Sequence, residues 1–431
     1  MARVLIRGGR LLDPSTGRDE PGDLLAHDGA IEAVGQGLDA RGAEVVDAEG
    51  AWIAPGFVDL HTHLREPGQE YKEDIASGGR SAVAGGFTAV ACMANTQPVN
   101  DDPAMTDFIL DRAAHDSPAR VYPVAAATRG QQGEVMTEMS ALVAAGAVAF
   151  SDDGRTIMDA GVMRRVLQYS TLVHVPVISH CEDRHLVGAG VVNEGPISTR
   201  LGLPGNPAIA ETLHVIRDIE LASLTGAHLH VAHVSTADAV DAIRHARERG
   251  VSVTAEVTPH HLTLTDEEAL GYDTSTKVAP PLRSAADRQA CRAGLADGTL
   301  DAIATDHAPH AQHEKDQEFT LAPPGMIGFE TAAAAVLDLV RQDELTPLEL
   351  VRRLSTNPAR ILRRPGGSLG IGEPADVTVL DPDRRWIYDP AKGWSKSRNS
   401  PWAGRELQGR VVATLVGGRL VYHVDRGVLV P

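Results

Sequence analysis

Residues 55–68 read Pro-Gly-Phe-Val-Asp-Leu-His-Thr-His-Leu-Arg-Glu-Pro-Gly, a short apolar run that ends in a pair of histidines. Short apolar runs bounded by glycine and proline are typical of buried strands. Because side chains alternate along a strand, His61 and His63 point the same way and can bind one metal ion together. A His-x-His pair is weak evidence by itself, so the interpretation depends on the rest of the chain.

Seven further apolar runs follow, and Ala-rich helical stretches such as Ala208–Leu224 and Ala237–Arg249 separate most of them. This alternation is typical of repeated βα units with a parallel sheet. Eight such units predict an α/β fold of the TIM barrel type. The runs are Phe57–Leu60, Phe87–Met93, Val121–Ala125, Ala147–Phe150, Val175–Ile178, Leu229–Val234, Val251–Val257 and Ala302–Ala304.

The two ends of the chain have a different pattern. Residues 1–54 read as short strands between Gly, Pro and Asp turns, without a helix, and β-type runs return at Ala375–Leu380 and Val411–Val416. We therefore expect residues 1–54 and 366–431 to form one small β subdomain beside a barrel of residues 55–365.

Histidine and aspartate residues lie at the carboxyl ends of five of the predicted strands. In a TIM barrel this end of the strands is the face on which active sites are assembled. Each residue alone has an ordinary explanation, such as a histidine bonded to backbone or an aspartate that shapes a turn. Those explanations do not account for so many on one rim, which indicates a metal site. The residues are His61, His63, Asp153, His180, His233 and Asp306.

This set of ligands indicates two metal ions. Imidazole nitrogen and carboxylate oxygen bind zinc and similar ions, and four histidines with two aspartates exceed one tetrahedral site. Two cations about 3.5–4 Å apart would lower the pKa of a shared water, so that hydroxide exists near neutral pH, and would polarise a carbonyl group. The expected chemistry is hydrolysis by water, without a covalent enzyme intermediate.

Residues 55–68 resemble the signature of the dihydroorotase family, bacterial class I type, within the amidohydrolase superfamily. Later blocks resemble the same family in the same order, so the likeness spans nearly the whole chain. It implies a zinc-dependent cyclic amidohydrolase that reversibly cyclises N-carbamoyl-L-aspartate to L-dihydroorotate in pyrimidine biosynthesis. The later blocks are Phe150–Gly154, His230–Ser235, Thr258–Leu262 and Ala304–His310.

The resemblance also implies a role for each metal ligand. Two zinc ions per chain are expected, one held by His61 with His63 and the other by His180 with His233. Asp306 would bind the first ion and act as the catalytic base. In hydrolysis it would take the proton of the attacking water and deliver it to the leaving ring nitrogen, and in synthesis these steps run backwards.

The bridge between the metals is expected to be an aspartate. Many relatives use a carboxylated lysine, but none of this chain's five lysines lies near the end of the fourth strand. A direct bridge by Asp153 is therefore expected, as in the bacterial branch of the family. Asp152 is the adjacent alternative, because side-chain alternation lets only one of the two face inward.

Dihydroorotate carries a carboxylate, and Arg65 offers a guanidinium suited to bidentate pairing two residues beyond His63. The polar, then Pro-rich stretch Pro309–Gly325 is long enough to be a closing lid. Ala279 stands where the family commonly has Asn and Pro324 where it commonly has Phe, so the Ala279 contact would come from backbone. The expected substrate-binding residues are His63, Arg65, Asn95, Ala279, His310, Pro324 and Gly325.

The sequence also suggests two alternatives to a dihydroorotase. Dihydropyrimidinases, hydantoinases and allantoinases share the barrel and the metals but usually bind uncharged rings, and Arg65 and the lysine-free fourth strand count against them. A catalytically silent homologue that serves as a structural partner typically loses metal ligands, and none is missing here. Homo-oligomerisation and association of the active enzyme with aspartate transcarbamoylase stay open.

The composition limits the classes of partner. A net charge of −18, from 40 basic and 58 acidic residues, argues against nucleic acid or an anionic membrane. The three scattered cysteines, Cys92, Cys181 and Cys291, fit a reducing compartment rather than a disulfide framework. No signal peptide and no run of about 18 apolar residues is found. We therefore expect a cytoplasmic enzyme with a small-molecule substrate.

Overall fold

Each of the eight apolar runs forms a strand, and the eight strands pair in parallel in chain order. The computed structural model describes residues 3–429. Apolar side chains fill the space inside the strands, and helices cover the outside, as expected of a parallel barrel. The segments that follow the first and last barrel strands meet where the backbone N–H of His63 donates to the carbonyl of His307 at 2.9 Å. The predicted TIM barrel is confirmed.

The strands fall into a barrel, a terminal sheet and one short pair. Strands β6 to β10 and β13 to β15 form the barrel, β11 and β12 pair with each other, and the remaining nine form the terminal sheet. In chain order they are β1 (Arg3–Asp13), β2 (Arg18–His27), β3 (Ala30–Gly35), β4 (Glu44–Asp47), β5 (Trp52–Pro55), β6 (Phe57–Thr62), β7 (Phe87–Cys92), β8 (Arg120–Ala125), β9 (Ala149–Phe150), β10 (Val177–Ser179), β11 (Val192–Asn193), β12 (Gly205–Asn206), β13 (Leu229–Val231), β14 (Val253–Val257), β15 (Ala302–Ile303), β16 (Val377–Ile387), β17 (Glu406–Val416), β18 (Arg419–His423) and β19 (Gly427–Val428).

Most of the longer helices come between successive barrel strands in chain order and pack on the outside of the barrel. Among residues 3–429, no helix combines the length and the apolar character needed to cross a membrane. The helices are α1 (Ile75–Ala84), α2 (Pro103–Asp116), α3 (Met139–Ala145), α4 (Ala160–Val173), α5 (Arg184–Val187), α6 (Pro196–Leu201), α7 (Ile209–Thr225), α8 (Ala237–Glu248), α9 (Pro259–Thr263), α10 (Ala285–Asp297), α11 (Gln312–Lys315), α12 (Phe329–Arg341), α13 (Pro347–Val351) and α14 (Asn357–Leu362), with a π-helical turn at Arg352–Thr356 between the last two.

Helix α8 shows how the sequence sets these elements. The Thr236 side chain accepts a hydrogen bond from the backbone N–H of Ala239, which caps the first turn. Ala239, Val240, Ile243 and Ala246 recur three or four residues apart and are buried, so one face of the helix packs on the barrel. The predicted helix over residues 237–249 is thus present, ending one residue earlier.

The terminal sheet is built from both ends of the chain. Strand β16 pairs antiparallel with β5, with Val377 opposite Pro55, and this pairing joins the carboxyl-terminal strands to the amino-terminal ones. The sheet buries its own apolar cluster, including Ile6, Ile53 and Val379. The predicted β subdomain from both termini is confirmed as a feature of the fold, while the boundaries of residues 1–54, 55–365 and 366–431 stay a prediction.

Candidate active site

A cavity of about 270 Å³ lies at the carboxyl ends of the barrel strands. Every predicted site residue except His61 lines it, and His61 is buried just beneath. Three residues that the sequence did not single out, Gly154, Glu182 and Ala308, complete the lining. The predicted ligands and substrate contacts therefore share one cavity, which contains no lysine among residues 3–429.

The carboxylate of Asp153 lies among the four predicted histidine ligands. Its Oδ1 is 3.3 Å from His61 Nε2, 3.5 Å from His180 Nδ1 and 3.7 Å from His233 Nε2. Its Oδ2 is 3.6 Å from His63 Nε2. Asp153 thus faces both histidine pairs at once, which is the geometry that a bridging ligand requires.

Asp152, the alternative bridge, faces away from the histidines. Its Oδ1 accepts hydrogen bonds from the backbone N–H groups of Ala127 at 2.9 Å and Thr128 at 3.0 Å. The Thr128 hydroxyl donates to its other oxygen. Burial raises the pKa of Asp152 to about 6, against these hydrogen bonds. Asp152 therefore holds the loop after the third barrel strand, and among residues 3–429 its carboxylate has no hydrogen bond or ion pair with the histidine cluster.

Asp306 follows the last barrel strand and faces the first histidine pair. Its Oδ1 is 3.1 Å from His63 Nε2 and 3.7 Å from His61 Nε2. Burial raises the pKa of this carboxyl, but the hydrogen bond with His63 and the neighbouring imidazoles outweigh burial and hold the pKa below its usual value. Asp306 is therefore a carboxylate at neutral pH.

The arrangement of these side chains fits metal ions. His61, Asp153 and His233 form one group, and His61, His63 and Asp306 another, each with its ligand atoms within 4.8 Å of one another. His180 Nδ1 lies 2.9 Å from His233 Nε2, beside the first group. His61 Nε2 and Asp153 Oδ1 are buried without a hydrogen bond of acceptable geometry among residues 3–429. Buried polar atoms rarely stay unpaired, so these atoms point to a further bonding partner.

Three of the histidines have an oxygen facing their other ring nitrogen. Glu256 Oε1 accepts from His61 Nδ1 at 3.0 Å, and Asn95 Oδ1 accepts from His63 Nδ1 at 2.9 Å. Glu182 Oε2 lies 3.5 Å from His180 Nε2. Such contacts fix the tautomer and orientation of metal-binding histidines. Asn95, expected to bind substrate, lines the cavity but also has this orienting contact.

Sequence reasoning missed Glu256, which is the fourth of the five residues of β14 and is fully buried inside the barrel. Its second oxygen accepts from His230 Nε2 at 3.1 Å. Burial raises the pKa of this carboxyl, but the hydrogen bonds from His230 and His61 bring the pKa to about 2, so it is ionised. The available signal was an acidic residue within a predicted buried strand, since such a residue is buried only with partners.

Arg65 and His310 lie together on the wall of the cavity. The Arg65 guanidinium is buried and donates to the Pro309 carbonyl at 3.2 Å and to His310 Nε2 at 3.4 Å. Burial, reinforced by the Arg65 charge, lowers the pKa of His310 to about 2, so this imidazole is neutral. Both hydrogen-bond partners of the Arg65 side chain in residues 3–429 are uncharged, which leaves its charge available to an anionic ligand.

The chain resembles known proteins over its full length. A family profile described as "Dihydro-orotase-like" matches residues 50–239. The dihydroorotase of Anaeromyxobacter dehalogenans strain 2CP-1 is 54% identical over 426 residues, covering 98% of each chain. That of Pelotomaculum thermopropionicum is 54% identical over 420 residues, covering 97% of this chain and 98% of the relative. The L-hydantoinase (dihydropyrimidinase) of Arthrobacter aurescens matches in fold, with a TM-score of 0.88, 24% identity and coverage of 100% and 98%.

Proposed function

The chain belongs to the dihydroorotase family, and we propose that its cavity carries out the reversible cyclisation of N-carbamoyl-L-aspartate to L-dihydroorotate, a cyclic amidohydrolase reaction of pyrimidine biosynthesis. The observation that carries this proposal is the combination of the Asp153-centred histidine cluster with a buried arginine free to bind an anion on the same cavity wall. The cluster suits amide hydrolysis, and the arginine suits a substrate that carries a carboxylate.

The residues around Asp153 would hold two zinc ions. His61, His63 and Asp306 form one set and His180 with His233 the other, and Asp153 lies within reach of both. Bound there, zinc supplies Lewis acidity, which polarises an amide carbonyl and lowers the pKa of water. Two observations support zinc at this site. His61 Nε2 and Asp153 Oδ1 are buried without a hydrogen-bond partner among residues 3–429, and the donor set combines imidazole and carboxylate groups.

Asp306 is the proposed proton carrier. Its Oδ1 faces His61 and His63, so the second oxygen is left to accept a proton from the attacking water. In hydrolysis the same oxygen delivers the proton to the leaving ring nitrogen, and in cyclisation it removes a proton from the attacking carbamoyl nitrogen. Because the carboxyl is ionised at neutral pH, it starts the hydrolytic cycle as a base.

The remaining cavity residues would orient the substrate. Arg65 would pair with the carboxylate of dihydroorotate, and the neutral His310 beside it would add a hydrogen bond. Another part of the cavity wall is formed by Ala279, Pro324 and Gly325. Because the side chain of Ala279 is a methyl group, only the backbone of this residue can form hydrogen bonds with the substrate.

The direct test is an assay of purified protein for cyclisation of N-carbamoyl-L-aspartate, with metal analysis of the same sample. We expect turnover in both directions and close to two metal ions per chain. Dihydrouracil and hydantoin are the comparison substrates, because the hydantoinase fold likeness makes a dihydropyrimidinase the second candidate. A preference for dihydrouracil over dihydroorotate would replace the proposal with that candidate.

Location and assembly remain predictions from the sequence. We propose a cytoplasmic location, which the three scattered cysteines support, because they fit a reducing compartment. Homo-oligomers and association with aspartate transcarbamoylase would be detected by measuring the mass of the protein in solution, alone and with the transcarbamoylase.

Arg65→Met tests the substrate assignment. Methionine keeps a similar apolar stem but removes the guanidinium, so a charge-assisted pair is lost and kcat/KM for dihydroorotate should fall by about 10–150-fold. Hydrolysis of uncharged dihydrouracil, measured in parallel, should change little, since no carboxylate is involved. Arg41→Met, at an exposed arginine, is the control. Equal losses for both rings would contradict the assignment.

Glu256→Gln tests the orientation of His61. A glutamine cannot accept hydrogen bonds from His61 and His230 through both of its terminal atoms, because one of them is an N–H donor. We expect metal affinity, measured by competition with a chelator, to weaken by about 10–100-fold. The exposed Glu267→Gln is the matched control. Unchanged affinity in the Glu256 variant would show that the contact does not support metal binding.

A further inference from the structure

Two buried lysines contact one stretch of backbone after the eighth barrel strand, residues 319–325, here called the clamped loop. Lys277 Nζ donates to the carbonyls of Phe319 at 2.7 Å, Thr320 at 3.1 Å and Ala322 at 2.6 Å. All three donors of the ammonium group are thus directed at the loop. Lys277 is only 6% exposed, so these contacts are shielded from water.

Lys315 contacts the second half of the clamped loop. Its Nζ donates to the carbonyls of Pro323 at 2.9 Å and Gly325 at 3.1 Å. The side chain is 5% exposed. Together the two lysines occupy five carbonyl groups within seven consecutive residues.

Neither lysine forms an ion pair among residues 3–429. Burial lowers the pKa of Lys277, and burial together with the nearby Lys277 charge lowers the pKa of Lys315 to about 7. Placing an ammonium group away from water without a carboxylate is costly, and the carbonyl dipoles of the loop offset that cost. Lysine is scarce in this chain, with five residues among 40 basic ones, and two of these five contact the clamped loop.

The clamped loop forms part of the cavity wall. Pro324 and Gly325 line the cavity, and the Gly325 N–H donates to the Lys277 carbonyl at 2.8 Å. Ala279, two residues beyond Lys277, lines the cavity as well. Gly325 has φ +136°, and a Cβ there would lie 2.8 Å from Ala308, so the backbone is closely packed. Lys277 therefore connects two predicted substrate contacts.

We propose that Lys277 and Lys315 are positioning residues that clamp residues 319–325 against the barrel, so that the Pro324–Gly325 peptide is held ready to contact the substrate. This inference rests on the proposed function, because it assigns the clamped loop to the same substrate. Neither ammonium group lines the cavity, so each acts through the backbone that it holds. The alternative is that the lysines serve only the overall stability of the fold.

The test uses full-length, metal-loaded Lys277→Met and Lys315→Met, with the exposed Lys392→Met as the matched control. Methionine retains the apolar stem but donates no hydrogen bond, which frees the loop carbonyls. We expect KM for dihydroorotate to rise by about tenfold or more while kcat stays within about twofold and metal content is unchanged. A role in overall stability alone would lower the unfolding temperature without this separation of KM from kcat.

A second readout does not depend on activity. Chymotrypsin cleaves after Phe319 and Leu321, and the rate of cleavage at these sites in the native protein reports the opening of the clamped loop. We expect faster cleavage in both lysine variants and an unchanged rate in the control. If Lys277→Met does not fold, Lys315→Met, which frees only two carbonyls, decides the question alone.

Three results would overturn or separate the proposals. Unchanged cleavage rates in the folded variants would overturn the clamp. Faster cleavage with an unchanged KM would overturn its role in substrate positioning. A wild-type protein that folds normally and is cleaved normally by chymotrypsin, but does not act on dihydroorotate, would contradict the proposed function. The substrate role of the loop would then be contradicted as well. The proteolysis would still decide whether the lysines clamp the loop.

Discussion

Asp306→Asn is expected to keep the fold and much of the metal but to lose turnover by about 10²–10⁴-fold, the usual contribution of a general base. The amide oxygen can take the position of the carboxylate Oδ1, which lies 3.1 Å from His63 Nε2 and 3.7 Å from His61 Nε2. The amide group cannot accept the proton of the attacking water. The measurement is kcat in both directions at matched metal content.

The control for this variant is Asp107→Asn, at an exposed position on α2, which should leave kcat unchanged. Metal analysis separates the two proposed roles of Asp306, since a loss of metal equal to the loss of rate would make it a ligand alone. Retention of more than about a third of the wild-type rate, against the expected factor of at least about 10², would refute the base assignment.

Asp153→Ala is expected to release at least one metal ion per chain and to abolish most activity. Its carboxylate lies between the two histidine pairs, so its removal would leave the repulsion between two cations uncompensated. Loss of a residue that contacts a metal ligand lowers metal affinity or activity by about 10–100-fold, and loss of a bridging ligand should lower them further. Metal content after dialysis and kcat on the same sample are the measurements.

The neighbouring Asp152→Ala is the matched control. Asp152 accepts hydrogen bonds from Ala127 and Thr128. Its loss should therefore loosen the loop after the third barrel strand, lower the unfolding temperature and leave the metal in place. The opposite pattern, metal kept by the Asp153 variant and lost by the Asp152 variant, would move the bridge to Asp152.

The sequence by itself determined the fold and the set of candidate ligands. Apolar runs alternating with amphipathic helices specify a parallel barrel, because each run must be buried on both faces and each helix on one. In such a barrel all strands point the same way, so residues that follow successive strands meet on one rim. The cavity lined by His63, Asp153, His180 and Asp306 follows from that rule, although the residues are far apart in the chain.

Only the tertiary structure decided which side chains contact one another within that cavity. Alternation along a strand predicts that one of Asp152 and Asp153 faces inward, but the choice depends on where the fourth strand ends and on the loop that Asp152 holds. His61 and Glu256 are 195 positions apart in the chain but form a hydrogen bond inside the barrel. They meet because β6 and β14 are placed along the barrel axis so that the two residues lie side by side. Local sequence patterns carry no information about the position of each strand along the barrel axis, which is set by packing across the whole barrel.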